Sequence, residues 1–397
     1  MKKQKQDTGK ITRREFLGKT AAASAGAVIA GAAPSIFFGR KAFAATPAVN
    51  FGYILSDHHA PLMVAAKNWE YFRDNGGIYL KPVSEGKIYE LFKGDNKIAR
   101  VNLIPTKKGP DLEKLVAQGS VDMAISGTQS IMLAIDKGVD TKIISPLQAA
   151  GNVFVVNKSL PITTWTEFVT YVKNTKEPLK IGMPGPHTVA AIIFRSALDY
   201  EGITYTEDST DKTKEVLFIN MKGHGNLVTA LVNNLTQAII GAQPFPAITI
   251  DRGVGRLVLN LQDVPPDQRW HGHACCSLEA TGPFLSKNPD LALDMMELLV
   301  LATEVSGKRQ DMTSQACSAW LGVKKEVEDM ACKTLVFTTT PTERWRKSVS
   351  VYAETMDGMG IFSGKLKGKR NEELESEVLD FELLNLAKAD LKKKGLL

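Results

Sequence analysis

The sequence predicts an α/β protein built from two similar lobes, and three observations carry that reading. The first is residues 109–138, GPDLEKLVAQGSVDMAISGTQSIMLAIDKG. Leu112, Leu115 and Val116 recur at helical spacing, Gly119 suits the left-handed position that ends a helix, and residues 121–125 form a short apolar strand. Ser126, Gly127 and Thr128 then lead directly into a second apolar helical run. A strand, a small polar turn and a helix leave free backbone N–H groups at the carboxyl end of a strand. Open α/β sheets bind ligands there, and a helix N-terminus favours negative charge. The second observation is an echo: residues 225–250, GNLVTALVNNLTQAIIGAQPFPAITI, repeat the same order roughly 115 residues later, which argues for two like lobes. The third is length, since 397 residues suffice for two or three domains with buried cores.

In chain order, residues 49–55 read as a strand, followed at once by Ser56, Asp57, His58 and His59. A helix then runs to Phe72, with Pro61 in its first turn, where proline is tolerated. Residues 78–83 and 99–105 are extended, and the charged excursion 85–97 between them reads as a surface hairpin or short helix. Residues 142–147 are a strand, and at 148–152 the chain leaves the first lobe. The second lobe follows as strand 153–157, helix 164–174, strand 179–183, a turn through Gly185, His187 and Thr188 with its helix to Tyr200, strand 216–221, the echo, and strand 256–261. Residues 264–266 begin the return, 274–280 rejoin the first sheet, and the remainder from Asn288 is mostly helical. The expected division is 45–149 with 271–397 for lobe I and 150–270 for lobe II.

The formal charge of +6 belongs to the first 44 residues, which carry nine Lys/Arg against two acids and leave the rest at −1. A near-neutral body excludes a nucleic-acid surface. Thr12-Arg13-Arg14-Glu15-Phe16-Leu17 resembles the twin-arginine export motif, departing from it at Gly18. An Ala/Gly-rich apolar stretch and Ala42-Phe43-Ala44 complete the order of a cleaved signal peptide. Residues 1–44 are therefore expected to be a signal that sends the chain to the periplasm, cut near Ala44. Beyond it no span is long enough to cross a bilayer.

The run NFGYILSDHHAPLMVAAKNWEYF (50–72) resembles the opening of periplasmic solute-binding proteins of the nitrate/sulfonate/bicarbonate (taurine-like) ABC importers, relatives of thiamine-precursor-binding proteins. The phrases LVAQGSVDMAISG, LKIGMPGPHT, ALVNNLTQAIIGAQPFPA and FLSKNPDLA resemble that family's segments in the same order, so the likeness covers nearly all of residues 48–305. It implies a type II periplasmic-binding-protein-like fold, each lobe a mixed sheet flanked by helices, with the ligand cleft between them. It also implies a substrate-binding component that closes about a hinge on a small anionic or zwitterionic solute and delivers it to an inner-membrane permease, working as a monomer and without a cofactor. The acidic residue of the family's pattern is replaced by Thr236 or Gln237, and the residue before its proline by Gln243, so solute identity does not carry over.

Carried over by position, the cleft loops are 56–59, 126–129, 148–152, 185–188, 224–226 and 271–276. All six histidines, His58, His59, His187, His224, His271 and His273, fall in them. Imidazole can donate to an anion or bind a transition metal, although no helical H-x-x-x-H spacing appears. The expected ligand residues are Ser56, Asp57, His58, Ser126, Gly127, Thr128, Asn152, Gly185, His187, Thr188, His224 and Gln243, with no metal among the assignments. Thr128 and Thr188 open the first helices of the opposite lobes and are expected to present their hydroxyls to the ligand. Asp57 either caps its helix or meets an amine. At strand spacing Cys275 and Cys276 point to opposite faces. Cys317 and Cys332, on successive helices, are candidates for a disulfide worth about 3 kcal/mol. No G-x-S-x-G, Walker A or H-E-x-x-H motif is present, so the chain is not expected to be an enzyme. Two other readings stay open: an exported metal- or cofactor-binding protein or enzyme using the cleft histidines, and a periplasmic ligand sensor.

Overall fold

The computed structural model describes residues 46–397, so the export signal and its cleavage point lie outside the described residues. Among the described residues fourteen strands form two sheets. The first holds β1 (Ala48–Ile54), β2 (Ile78–Ser84), β3 (Ile88–Lys93), β4 (Asn96–Thr106), β5 (Met123–Gly127), β6 (Thr141–Ala150), β13 (Ala274–Thr281) and β14 (Leu335–Phe337). Their order is β14-β6-β13-β5-β1-β4-β3-β2. The second holds β7 (Asn152–Asn157), β8 (Leu179–Met183), β9 (Tyr205–Thr206), β10 (Val216–Asn220), β11 (Ala238–Ala242) and β12 (Gly255–Asn260), in the order β12-β7-β11-β8-β10-β9.

Both sheets are mixed. β1 runs parallel to β4 and β5, while β13 lies antiparallel to β5 and β6. β8 runs parallel to β10 and β11, while β7 is antiparallel to β11 and β12. The central parallel strands β5, β8 and β11 are short and largely apolar on both faces, as strands covered by helices must be, whereas β4 is longer and partly exposed. In each sheet one strand ends in a small turn that opens a helix: Gly127 into Thr128–Asp136, and Ala242 with its turn into Phe245–Asp251.

Two expectations are corrected. Residues 85–97 follow the hairpin alternative and not the helix, but β3 pairs with both β2 and β4 and buries Tyr89 and Leu91, so the segment belongs to the first sheet and its core. The helix after Pro61 is two helices, Ala60–Lys67 and Trp69–Gly76, broken where the Asn68 side chain donates to the Val64 carbonyl.

The chain passes between the sheets at β6–β7 and again at residues 261–273. At the first crossing Ala150 (φ 62°) and Gly151 (φ 78°) both adopt left-handed backbone, which only glycine takes without strain. A Cβ on Gly151 would stand 2.1 Å from Leu335 Cδ2 and 2.9 Å from His58 Nε2. Among the described residues no helix is long and apolar enough to cross a membrane.

Candidate functional site

The carboxyl end of β1 delivers the turn Asp57–His59, whose two imidazoles are oriented by backbone. His59 Nδ1 accepts the Ile54 N–H at 2.9 Å, which leaves Nε2 as the N–H of a neutral ring. His58 Nε2 donates to the Gly151 carbonyl at 3.1 Å, which leaves Nδ1 as a lone pair. From the second sheet, Thr188 and Val189 start one helix, and His224 precedes another with its ring stacked on Phe245 at 5.8 Å.

These loops meet around a small cavity of about 30 Å³. The first lobe contributes Ser56, His58, His59, Gly127, Gln129, Ser130, Cys275 and Cys276; the second contributes Asn152, Thr188, Val189, His224 and Ala242. Hydrogen bonds already span the lobes: Gln129 Nε2 donates to the His187 carbonyl (3.0 Å), and the Asp57 N–H donates to the Gln243 carbonyl (3.2 Å). Three buried polar atoms at the cavity keep no partner, namely His59 Nε2, His224 Nδ1 and Gln129 Oε1. Buried polar atoms are nearly always paired in native proteins, and three on one cavity make its wall the candidate binding surface. No lysine or arginine lines the wall. Burial, and then the neighbouring His58 imidazole, hold His59 well below the ordinary imidazole range and push His224 down to about 3, so both rings are neutral.

Cys275 and Cys276 both point at His58, against the expectation from strand alternation. Cys275 Sγ lies 3.2 Å and Cys276 Sγ 3.8 Å from His58 Nδ1, and the two sulfurs are 3.9 Å apart. The cause is local. The register of β13 against β6 shifts at Ala274/Cys276 and again at Cys276/Ser277, and such bulges re-aim side chains. Asn152 Nδ2 donates to Cys275 Sγ at 3.1 Å. Burial raises the Cys275 thiol, but the Cys276 thiol and the neighbouring imidazoles of His58 and His273 outweigh it and hold it well below the ordinary range. Burial and the bond to Cys275 push Cys276 well above.

The other expected residues divide. Ser56, His58, Gly127, Asn152, Thr188 and His224 line the cavity; Asp57, Ser126, Thr128, Gly185, His187 and Gln243 do not. Asp57 turns away from the cavity toward Glu328, Cys317 and Cys332. Ser126 Oγ points behind β5 and donates to Glu113 at 2.5 Å. The Thr128 hydroxyl pairs with Ser277 Oγ (2.8 Å) and that of Thr188 donates to the Gly185 carbonyl (2.9 Å), so each already has a protein partner and Thr188 can offer a ligand only its acceptor lone pairs. Gly185 lies against Lys108. His187 sits in a wide outer groove of about 770 Å³ with Lys137, Arg195 and Arg269. The Gln243 side chain accepts the Ala247 N–H of its own helix. Of the remaining histidines, His271 is half-exposed near Asp263, and buried His273 donates from Nδ1 to the Trp270 carbonyl. Gln129, Ser130 and the two thiols were not assigned from sequence. The signal for the glutamine and serine was their place in the first turn of the helix after Gly127.

Glu113, which Ser126 holds from behind the turn, predicts a pH dependence. Burial pushes its carboxyl up to about 7, with Ser126 and Glu279 pulling the other way, and buried Glu279 is pushed well up by desolvation and by Glu113. A carboxyl raised in the folded state contributes stability that is full below the unfolded value near 4.5 and lost as pH rises through about 7. Melting temperature is therefore expected to fall between pH 5 and 8, and Glu113→Gln to flatten that slope. An unchanged slope in the variant would contradict the assignment.

Comparison with known proteins gives the following. The NMT1-like family matches residues 43–321. Among solved structures, the zinc-bound ligand-binding component of an ABC-type import system from Staphylococcus aureus matches with TM-score 0.66 and 14% identity, covering 86% of this chain and 99% of that one. The periplasmic nitrate-binding protein NrtA from Synechocystis matches at 0.65 and 15%, covering 88% and 90%. The alkanesulfonate-binding protein SsuA from Xanthomonas axonopodis, bound to MOPS, matches at 0.61 and 12%, covering 84% and 99%. These likenesses establish the periplasmic-binding-protein fold. An uncharacterized protein of Methanocaldococcus jannaschii is 41% identical over 102 residues, 25% of this chain and 70% of that protein.

Proposed function

Because this chain belongs to the NMT1-like family, we propose that it is the exported substrate-binding component of an ABC importer, closing its lobes over a small solute and presenting it to a permease in the inner membrane. The observation that carries this reading is the small cavity between the sheets, walled by strand-end loops of both and holding three unpaired buried polar atoms. Closure pivots at Ala150–Gly151 and at the return crossing.

The cargo that the wall chemistry supports best is a thiophilic transition-metal ion. Zinc-type bonds of about 2.3 Å to sulfur and 2.0–2.1 Å to nitrogen put tetrahedral ligand atoms roughly 3.8 Å (S···S) and 3.5 Å (S···N) apart. The Cys275–Cys276 pair at 3.9 Å and their distances of 3.2 and 3.8 Å to His58 Nδ1 match those edges. His58 also donates its other ring nitrogen to a backbone carbonyl, the arrangement that orients metal-binding imidazoles. A small anion or zwitterion of the nitrate, bicarbonate or taurine kind is the second reading, favoured by the unpaired His59 N–H and by what the Synechocystis relative is named for. It lacks a cationic side chain in the wall, and a cavity of about 30 Å³ leaves little room for a sulfonate.

Calorimetric titration of metal-stripped protein with Zn(II), and separately with nitrate, bicarbonate and taurine, tests this. One high-affinity cavity metal, weakened at least about a hundredfold by Cys275→Ser with Cys276→Ser, is the expected result. Anion binding that ignores both substitutions would overturn the metal cargo and leave the anion reading standing.

A further inference from the structure

A second cluster of thiols and carboxylates lies outside the cleft, and no step of solute binding uses it. Helices Gln310–Leu321 and Lys325–Cys332 form a hairpin through Gly322 (φ 69°), a turn that sets Cys317 beside Cys332. Both thiols are free and buried, not joined as the sequence led one to expect. Glu328 precedes Cys332 by one helical turn, so both project from the same face. Ligand atoms of Cys317, Glu328 and Cys332 lie within 4.8 Å of one another. Asp57, which is not one of these three, approaches Glu328 and the two thiols from the turn after β1. All four residues are at least 96% buried. No nitrogen or hydroxyl donor among the described residues reaches any oxygen of the two carboxylates.

We propose that Cys317, Cys332, Glu328 and Asp57 form a second metal site, which takes a divalent zinc-type cation and fastens the Asp57–His59 turn to the C-terminal hairpin. Two sulfurs and two carboxylate oxygens supply the four ligands that a closed structural site requires. Four buried acidic groups are costly as anions, and a divalent cation satisfies them together. The thiol protons leave to solvent as the thiolates bind, so the bonds formed are metal–sulfur and metal–oxygen with no redox step. Function follows from position. His58 and His59 are the next two residues after Asp57, so a metal holding Asp57 fixes the turn from which both cavity imidazoles project. This site belongs to the first lobe and stands independently of any cargo in the cleft.

The test removes the cleft thiols so that only this site can contribute sulfur. In a Cys275→Ser, Cys276→Ser background, the purified chain is expected to retain one zinc by elemental analysis. After stripping, cobalt(II) titration should develop thiolate-to-cobalt charge-transfer absorption. Cys332→Ser should remove that absorption. Glu328→Gln, nearly isosteric and suited to preserving the fold, should weaken metal binding by at least about 10–100-fold with an unchanged circular-dichroism spectrum. A background variant that keeps no zinc and shows no sulfur–cobalt band overturns the site, as does a Cys317–Cys332 disulfide found by unreduced peptide mapping. Neither result bears on the cleft, whose thiols are absent from the experiment.

Discussion

Asp136→Ala is expected to destabilise the first lobe by about 3–6 kcal/mol, read as a lowered midpoint in chemical denaturation. Asp136 ends the helix Thr128–Asp136 that starts at the cavity, and it is 2% exposed. A carboxylate at a helix C-terminus faces the wrong end of the macrodipole. The loop after Ile361 offsets this: Oδ2 accepts the N–H groups of Ser363 (3.0 Å) and Gly364 (3.1 Å), and Oδ1 accepts those of Gly364 (3.1 Å) and Leu366 (2.9 Å). The backbone carbonyl of Asp136 also accepts from Lys365 at 2.8 Å. Alanine would orphan three backbone donors, each worth about 1–3 kcal/mol when left unpaired, with those of exposed Ser363 and Gly364 at the low end because water reaches them and that of buried Leu366 at the high end. Asp136→Asn, which keeps one acceptor oxygen, should fall between the two. Equal stability of Asp136→Ala and wild type would mean that the loop finds its donors elsewhere.

Gly151→Ala is expected to impair closure. It costs about 1–2 kcal/mol for left-handed backbone and about 1–3 kcal/mol for overpacking, roughly 2–5 kcal/mol in all. The new methyl would lie 2.1 Å from Leu335 Cδ2 and 2.9 Å from His58 Nε2. Leu335 is held by the pairing of β14 with β6, and His58 by its bond to the Gly151 carbonyl, so neither yields without loosening the cavity wall. Because the strain sits at the crossing, cargo affinity should fall along with stability. A variant of reduced stability but full affinity would show that the crossing is structural and not a hinge.

The strand–turn–helix units were legible in the sequence because short apolar runs bounded by glycine leave few alternatives. The meander of β2 to β4 was not. Glu90, Lys93 and Lys97 gave residues 85–97 a charged appearance that hid the alternation burying Tyr89 and Leu91. At the site, the six loops were found by position, but side-chain direction within them was not. Asp57 and His58 are adjacent yet face opposite ways, because a 3₁₀ turn rotates each residue by about a third of a circle. The thiols escaped because strict alternation fails where β13 shifts register. Thr128 and Thr188 stand where helix openings were expected, but nearby groups bond both hydroxyls, and no sequence pattern records that.

The central claim is that two lobes close on a solute in the cavity between His58, Thr188 and His224. Small-angle X-ray scattering of the mature chain, with and without saturating cargo, measures it most directly. The account predicts a radius of gyration that contracts on cargo addition in wild type and contracts less in Gly151→Ala. An unchanged radius in wild type, with binding independently verified by calorimetry, would contradict closure.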